Sequence, residues 1–168
     1  IDTRDWSSDV CSSDLLYFVT ALFLASERWD EPHYSDEANK ILAKVMNKNG
    51  IESGVYNLFD SDSRLVTFVP TRTGHGFTDP SYQLPAFIDK WARTATANRP
   101  FWKKAATAAR QHLIASANPI TGLYPDYSQF DGKAYAWPNA TYDTSLYMYD
   151  AIRCPMNVGM DYYLCGKD

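Results

Sequence analysis

The feature that most restricts this chain is the spacing of its apolar residues, which recur at three- and four-residue intervals in five runs between Leu15 and Tyr163. Phe18, Ala21, Leu22, Ala25 and Trp29 fall on one side of the first run, which is helical in pattern from Leu15 onward. In the second, Ala38, Ile41, Leu42, Val45 and Met46 follow Ser35, a residue suited to an N-cap, with Asp36 and Glu37 in the next turn and Asn49-Gly50 as a stop. Leu84, Phe87, Ile88, Trp91, Ala92 and Ala95 form the third, and Pro85 is tolerable there only in the first turn. Asn98 opens the fourth, with Phe101, Ala105, Ala108, Ala109 and His112 along one side as far as Asn118-Pro119. The fifth starts near Asp150, because Pro155 must lie close to its first turns, and runs through Met156, Gly159, Met160 and Tyr163.

Helix pairs joined by loops that carry aromatics and carboxylates imply an all-α fold with a site built by loops at one end. Two β-prone runs, Val55 to Phe59 and Arg64 to Val69, flank the polar turn Asp60-Ser61-Asp62-Ser63, so a small β-hairpin insertion is expected between helices. The stretch from Pro119 to Tyr149, with Gly122, Pro125, Gly132 and Pro138, reads as a long loop, and loops of that length are usually functional. A closed ring of such helix pairs takes about a dozen helices, so five describe an incomplete object.

Residues 1–14, IDTRDWSSDVCSSD, stand apart: Ser7-Ser8-Asp9 recurs as Ser12-Ser13-Asp14 and no helical period is present. Four Asp and one Arg without an apolar middle do not make a secretory leader. The segment resembles translated sequencing adapter, with a natural Ser/Asp-rich tail as the alternative. The expected organisation is therefore a non-native segment 1–14 followed by one catalytic-domain part, 15–168.

Composition removes several functions. Sixteen Lys and Arg against 20 Asp and Glu leave no basic stripe for a phosphate backbone, so nucleic acid is not expected as a partner. The apolar segment from Leu15 to Leu24 is too short to span a bilayer, and no membrane partner is expected. Cys11, Cys154 and Cys165 form neither a disulfide framework nor a zinc pattern, and no cofactor or metal is implied. Cys154 and Cys165 argue mildly against an oxidising compartment, which otherwise stays unassigned, and nothing indicates an oligomer.

Three segments carry the chemistry: Phe77-Thr78-Asp79-Pro80-Ser81-Tyr82-Gln83-Leu84-Pro85-Ala86-Phe87, Gly122-Leu123-Tyr124-Pro125-Asp126-Tyr127, and Tyr149-Asp150-Ala151-Ile152-Arg153-Cys154-Pro155. Each sits at a junction of loop and helix. Taken alone, Asp150 could be an N-cap, Arg153 its surface partner at i+3, and Tyr82 a packed aromatic. Asp126 could be ordinary turn chemistry, and His75, between two glycines, has no partner pattern.

With Tyr17-Phe18-Val19-Thr20-Ala21-Leu22-Phe23, Arg28-Trp29, and Met156-Asn157 to Asp161-Tyr162, these segments resemble glycoside hydrolase family 8, in the order found in its reducing-end xylose-releasing exo-oligoxylanase branch. The resemblance covers residues 16 to 168 and implies the C-terminal part of a family 8 catalytic domain with a partial (α/α)6 toroid fold. It also implies hydrolysis of β-1,4 glycosidic bonds in an oligosaccharide substrate, with inversion. Inversion needs two carboxyl groups roughly 6.5–9.5 Å apart, one protonating the leaving oxygen and one deprotonating a water. By the resemblance Asp150 is the general base, Tyr82 helps it hold the water, and Arg153 keeps the carboxylate ionised and oriented. Tyr127, Asp126, Trp137 and Tyr124 are the expected substrate-binding residues, with Tyr135 and Tyr142 as further loop aromatics.

The family's general acid is a glutamate that nothing here matches; Glu27, Glu31, Glu37 and Glu52 lie outside any corresponding motif. A further family aspartate precedes the helix opening with Tyr17-Phe18, and Asp14, inside the adapter-like repeat, is not assigned that role. Three alternatives stay open: a family 8 endo-glycanase acting on xylan, cellulose or chitosan; an inactive carbohydrate-binding helical fragment; and an unrelated toroid epimerase or lyase, which would want a central His. Product analysis separates the first, and an upstream glutamate in an intact gene the second. Loss of general acid catalysis typically costs about 10²–10⁴ in rate. The purified chain is therefore expected to turn over xylotriose barely or not at all, and robust hydrolysis would refute the truncation reading.

Overall fold

A computed structural model describes residues 12–49 and 53–167. Five α-helices follow in chain order: α1 (Ser12–Trp29), α2 (Pro32–Met46), α3 (Pro85–Thr94), α4 (Arg99–Ser116) and α5 (Arg153–Cys165), with 3-10 turns at Pro80–Tyr82 and Tyr149–Ile152. The pairs α1/α2 and α3/α4 pack most extensively, and α3 touches both α1 and α5.

The helical periods expected from sequence are present, but two of the buried faces are not the expected ones. In α1 the core side is Leu16, Val19, Thr20 and Phe23, whereas Phe18 and Trp29 are exposed. This helix is apolar nearly all round, so its period alone does not select a face. Trp91 does, by donating its indole N–H to Thr20 Oγ1 at 2.9 Å inside the core. Within the described residues the helix already runs from Ser12, three residues before the expected point, and Ser12 Oγ donates to Phe68 O at 3.0 Å. Residues 1–11 of the adapter-like segment lie outside the described residues.

Ser35 is not the cap of α2. The helix begins at Pro32, whose fixed φ suits a first helical position, and Ser35 Oγ instead bonds back to Pro32 O at 2.8 Å. Its end is at Met46, with Asn47 as the C-cap; Gly50 of the expected stop lies outside the described residues. Pro85 opens α3 as expected. Asn98 precedes α4 in a left-handed conformation, φ 58, without a side-chain cap bond.

The β-hairpin is replaced by something looser. Phe59 pairs with Val66 and Val55 with Thr71, both antiparallel, but these are isolated bridges and no strand forms among the described residues. Asp60 Oδ2 draws in Ser63 N and Oγ at 2.7 Å each, and the buried Gln83 amide meets Val66, accepting its N–H at 3.4 Å and donating to its C=O at 3.3 Å. A side chain thus occupies the place of a neighbouring strand.

The main core runs from Leu16, Val19 and Phe23 through Phe59, Trp91 and Trp102, with Trp91 and Trp102 edge to face at 5.4 Å. Helix α5 joins it by an unexpected face. The predicted stripe contains Tyr163, which is 86% exposed, and Met156, also exposed, while Cys154, Asn157 and Asp161 are buried. Asn157 Nδ2 donates to Ser81 O at 2.7 Å, and Asp161 receives Arg110 Nε at 2.7 Å and Nη2 at 2.8 Å. Polar bonds thus act together with the buried Cys154 and the partly buried Met160 to set the face of this helix.

The long loop is confirmed as free of helix from Ala117 to Met148, and one glycine ties it to α4. Gly132 has φ +91, and a Cβ there would stand 2.7 Å from Ala115 Cβ. Gly132→Ala is expected to cost about 1–3 kcal/mol, since strain and close approach act together. A urea midpoint equal to that of the wild type would show instead that the loop can lift from α4 freely.

Candidate active site

The site forms where the first 3-10 turn, the loop after Tyr124 and the second 3-10 turn meet; the two turns touch each other, and α5 touches both. Asp79 caps the first turn, its Oδ1 accepting Ser81 N–H at 2.7 Å, while Pro80 starts it and Tyr82 ends it. Thr78 and Ser128 exchange two backbone hydrogen bonds, at 3.0 and 2.9 Å, which brings the 124–128 segment beside this turn. Gln83 Nε2 donates to Thr78 Oγ1 at 2.8 Å and closes the base of the arrangement.

The second turn carries Asp150. Tyr149 enters it with φ 38, left-handed geometry that costs a non-glycine residue energy and is retained only where the surroundings hold it. Asp150 caps neither element, because the N-cap of this turn is Met148 and that of α5 is Ile152. Its carboxylate is instead paired with the Arg153 guanidinium, and the side chains keep 43% and 31% exposure respectively. The pair is accessible yet anchored. Arg153 also feels the Asp79 and Tyr82 side chains, so Asp150, Arg153 and Tyr82 lie together, with the buried Asp79 behind them.

Tyr82 is buried, its ring parallel to Phe68 with centroids 6.1 Å apart. Phe68, Phe77, Tyr127, Tyr135 and Trp137 continue from it as an aromatic wall with Phe68–Tyr127 at 4.4 Å and Phe77–Trp137 at 5.6 Å. Tyr127 and Trp137 are partly exposed on this wall. Tyr124 is not available in the same way: it is 8% exposed and packs with Leu113, Ala151 and Cys154. Asp126 is 1% exposed and accepts Tyr142 O–H at 2.6 Å, so it holds the loop from inside rather than presenting an oxygen to a ligand.

Electrostatics distinguish the acids. Burial pushes the Asp79 carboxyl up to about 8 despite the Ser81 hydrogen bonds, with Asp126 and Asp150 adding repulsion. Burial also raises Asp126, which is more thinly covered; the Tyr142 bond opposes this, as do the nearby Asp150 and Ala151 N–H groups, although neither makes a full hydrogen bond to Oδ1. Tyr142 is raised by burial and by donating to Asp126. Sequence reasoning quoted Asp79 inside its motif without giving it a role, because Asp-Pro-Ser reads simply as a capped turn start. It did not foresee Tyr142 as the partner of Asp126 or Asn157 as the bond to Ser81.

Other candidates lie elsewhere. His75 stacks on Tyr56 at 3.6 Å and bonds Thr71 O through Nδ1 at 2.9 Å, away from the acids. Asp89, Asp161 and Cys165 bring ligand atoms within 4.8 Å of one another, but Arg110 already engages both carboxylates, at 2.5–2.8 Å, and supplies the positive charge a cation would bring. A hollow of about 550 Å³ between Ser63 and Gln111 and another of about 350 Å³ near Asn118 and Leu146 are not lined by Tyr82, Asp150 or Arg153. Among the described residues no helix is long and apolar enough to cross a membrane.

A half-exposed carboxylate paired with a guanidinium thus lies near an aromatic wall on a frame of paired helices. Residues 3–164 match the glycosyl hydrolases family 8, and the chain belongs to that family. It is 36% identical over 151 residues to the reducing end xylose-releasing exo-oligoxylanase of Halalkalibacterium halodurans, spanning 86% of this chain and 37% of the relative. The corresponding enzyme of Paenibacillus barcinonensis is 35% identical over 158 residues, 90% of this chain and 40% of that protein. Among solved structures, a catalytic mutant of a family 8 xylanase from Teredinibacter turnerae in complex with xylohexaose superposes with a TM-score of 0.83 at 37% identity, covering 92% of this chain and 42% of that one. The fold is thus part of an (α/α)6 toroid, and the chain spans about two fifths of the length of the relatives it matches.

One buried group makes stability depend on pH. His112 bonds Ser128 Oγ through Nε2 at 3.0 Å, and burial lowers its pKa to about 4. In the unfolded chain the ring takes up a proton near 6.5, in the fold only near 4, so its contribution is intact above 6.5 and is lost as pH falls from 6.5 towards 4. Asp79 acts with the opposite sign, its folded state retaining a proton between 3.8 and about 8, so the two must be separated by mutation. The stability difference between wild type and His112→Gln should move against the wild type by about 2–3 kcal/mol between pH 7 and pH 4.5 in urea titrations. A difference constant with pH would mean that His112 takes up its proton at the same pH in the fold as in the unfolded chain.

Proposed function

We propose that the protein carrying this chain hydrolyses β-1,4 bonds of xylo-oligosaccharides with inversion, releasing xylose from the reducing end. The observation that carries the reading is Asp150: an accessible carboxylate paired with Arg153, in a chain 36% identical to an exo-oligoxylanase over 86% of its length. In the proposed step Asp150 takes a proton from a water whose oxygen attacks the anomeric carbon. The bond to the leaving oxygen breaks, and that oxygen receives a proton from the acid on the opposite face. Arg153 keeps Asp150 ionised and oriented, and Tyr82 helps to hold the water, as a phenol both donates and accepts.

Tyr127 and Trp137 are proposed to meet the sugar faces, since both are part of the aromatic wall and partly exposed. Asp126 and Tyr124 are proposed to act through the backbone they support, because Asp126 is engaged by Tyr142 and Tyr124 packs with Leu113, Ala151 and Cys154. The main competing reading is an endo-acting xylanase, favoured by the likeness to a xylanase solved with xylohexaose.

In the uninterrupted enzyme that carries this chain, Asp150→Asn should lower kcat on xylotriose by about 10²–10⁴. Proton NMR of fresh wild-type product should show the α-anomer first, as inversion of a β-bond requires. Full activity after the substitution, or initial release of the β-anomer, would remove Asp150 from the role. Xylose as the first product from long oligomers supports exo action, and mixed oligomers would replace it with endo action.

A further inference from the structure

We propose that Asp79 is a positioning residue for the base, serving as an un-ionised carboxylic acid below Asp150 so that Arg153 has a single carboxylate to hold. The inference rests on the reading of Asp150 as base, and begins from an imbalance of buried polar atoms. Asp79 Oδ1 accepts Ser81 N–H at 2.7 Å, but Asp79 Oδ2 is buried without a partner. Three other buried atoms in the same region also lack partners: Ser81 Oγ, Asp126 Oδ1 and Asn157 Oδ1. They belong together, because Asn157 Nδ2 binds Ser81 O at 2.7 Å and Asp126 lies within electrostatic reach of Asp79. If Asp79 is ionised, these four unpartnered buried atoms comprise three acceptors and one hydroxyl, a costly imbalance. A proton on Asp79 Oδ2 turns one acceptor into a donor, leaving two donors for two acceptors.

Charge leads to the same answer. The groups acting on Asp79 are Asp126 from the loop and Asp150 from the second 3-10 turn, and Asp79 in turn acts on Arg153 and Cys154 of α5 and on Tyr127. Two carboxyl groups, Asp150 and Asp79, therefore act on one guanidinium, and Asp126 acts on both of those acids. The most deeply buried of them loses most by ionising, and burial sets its titration at about 8. Neutral Asp79 leaves Arg153 to Asp150; ionised Asp79 competes for it.

Carbon-13 titration of the carboxyl groups of the 168-residue chain tests this, with Asp79→Asn and Asp150→Asn giving the assignments. Asparagine approximates the acid form, pairing an uncharged donor group with an acceptor oxygen, although its amide carries two N–H. One resonance, absent from Asp79→Asn, should remain protonated through pH 7 and titrate near 8. The Asp150 resonance should show a second displacement at that same pH in the wild type and none in Asp79→Asn. Titration of Asp79 in the ordinary carboxylate range, or an Asp150 profile without the second step, overturns the proposal; should Asp79→Asn fail to fold, loss of the Asp150 second step or an all-acidic set of titrations in the wild type decides it alike. In the uninterrupted enzyme Asp79→Asn should stay within about threefold of wild-type kcat/KM near pH 6, while Asp79→Ala loses about tenfold or more. Equal damage by Asn and Ala would show that the charged form is needed. The titration requires no hydrolysis, so a chain that passes it while its enzyme leaves xylotriose uncleaved refutes the proposed function alone.

Discussion

The polar face of α5 is the constraint on which the rest of this site depends. Asn157 reaches the backbone of the turn that carries Tyr82, and Asp161 meets Arg110, which also binds Asp89 on α3. One helix is thereby fixed to the turn, to α4 and to α3 by directional bonds. Arg153 is the first residue of the same helix, so the position of the guanidinium that holds Asp150 follows from where Asn157 and Asp161 are anchored. A helix docked by apolar area alone could slide or rotate by small amounts at little cost, whereas paired buried charges tolerate no such change without losing a partner.

The same principle runs through the loops. Gln83 replaces a missing strand at Val66, Asp126 holds Tyr142, and Thr144 Oγ1 donates to Tyr135 O at 2.7 Å while accepting Trp137 N–H at 2.8 Å. Each bond is made by a buried side chain to a segment that forms at most isolated bridges and no strand. That is how about thirty residues of irregular chain can place an aromatic wall firmly, since buried backbone groups must find partners somewhere. The acids differ in their surroundings: Asp79 is buried and raised, Asp126 is buried against Tyr142, and Asp150 stays half-exposed beside Arg153.

The errors of the sequence reading share a cause. For α3 the apolar stripe was the buried face, because Pro85 set its start and only one side was apolar. For α1 two sides were apolar, and for α5 two of the three buried residues were polar, so a period that was correct pointed to the wrong face in both. Ser35 looked like a cap because its side chain is suited to one, but Pro32 three residues earlier was the better start. In the site, the motifs containing Tyr82, Asp126 and Asp150 were legible as a group. The burial that separates Tyr124 and Asp126 from Tyr127 and Trp137 was not, because all four occur in similar loop contexts.

From the sequence alone came the helical class, the long functional loop, the family likeness and the three segments that converge, all of which depend on local spacing and on order along the chain. Only the tertiary structure decided which faces are buried, that Asp79 lies among the acids with a raised pKa, and that Asn157 and Asp161 hold α5 in place. The reason is physical: a propensity belongs to a residue and its neighbours in sequence, whereas desolvation and charge repulsion belong to whatever the fold brings within a few ångströms.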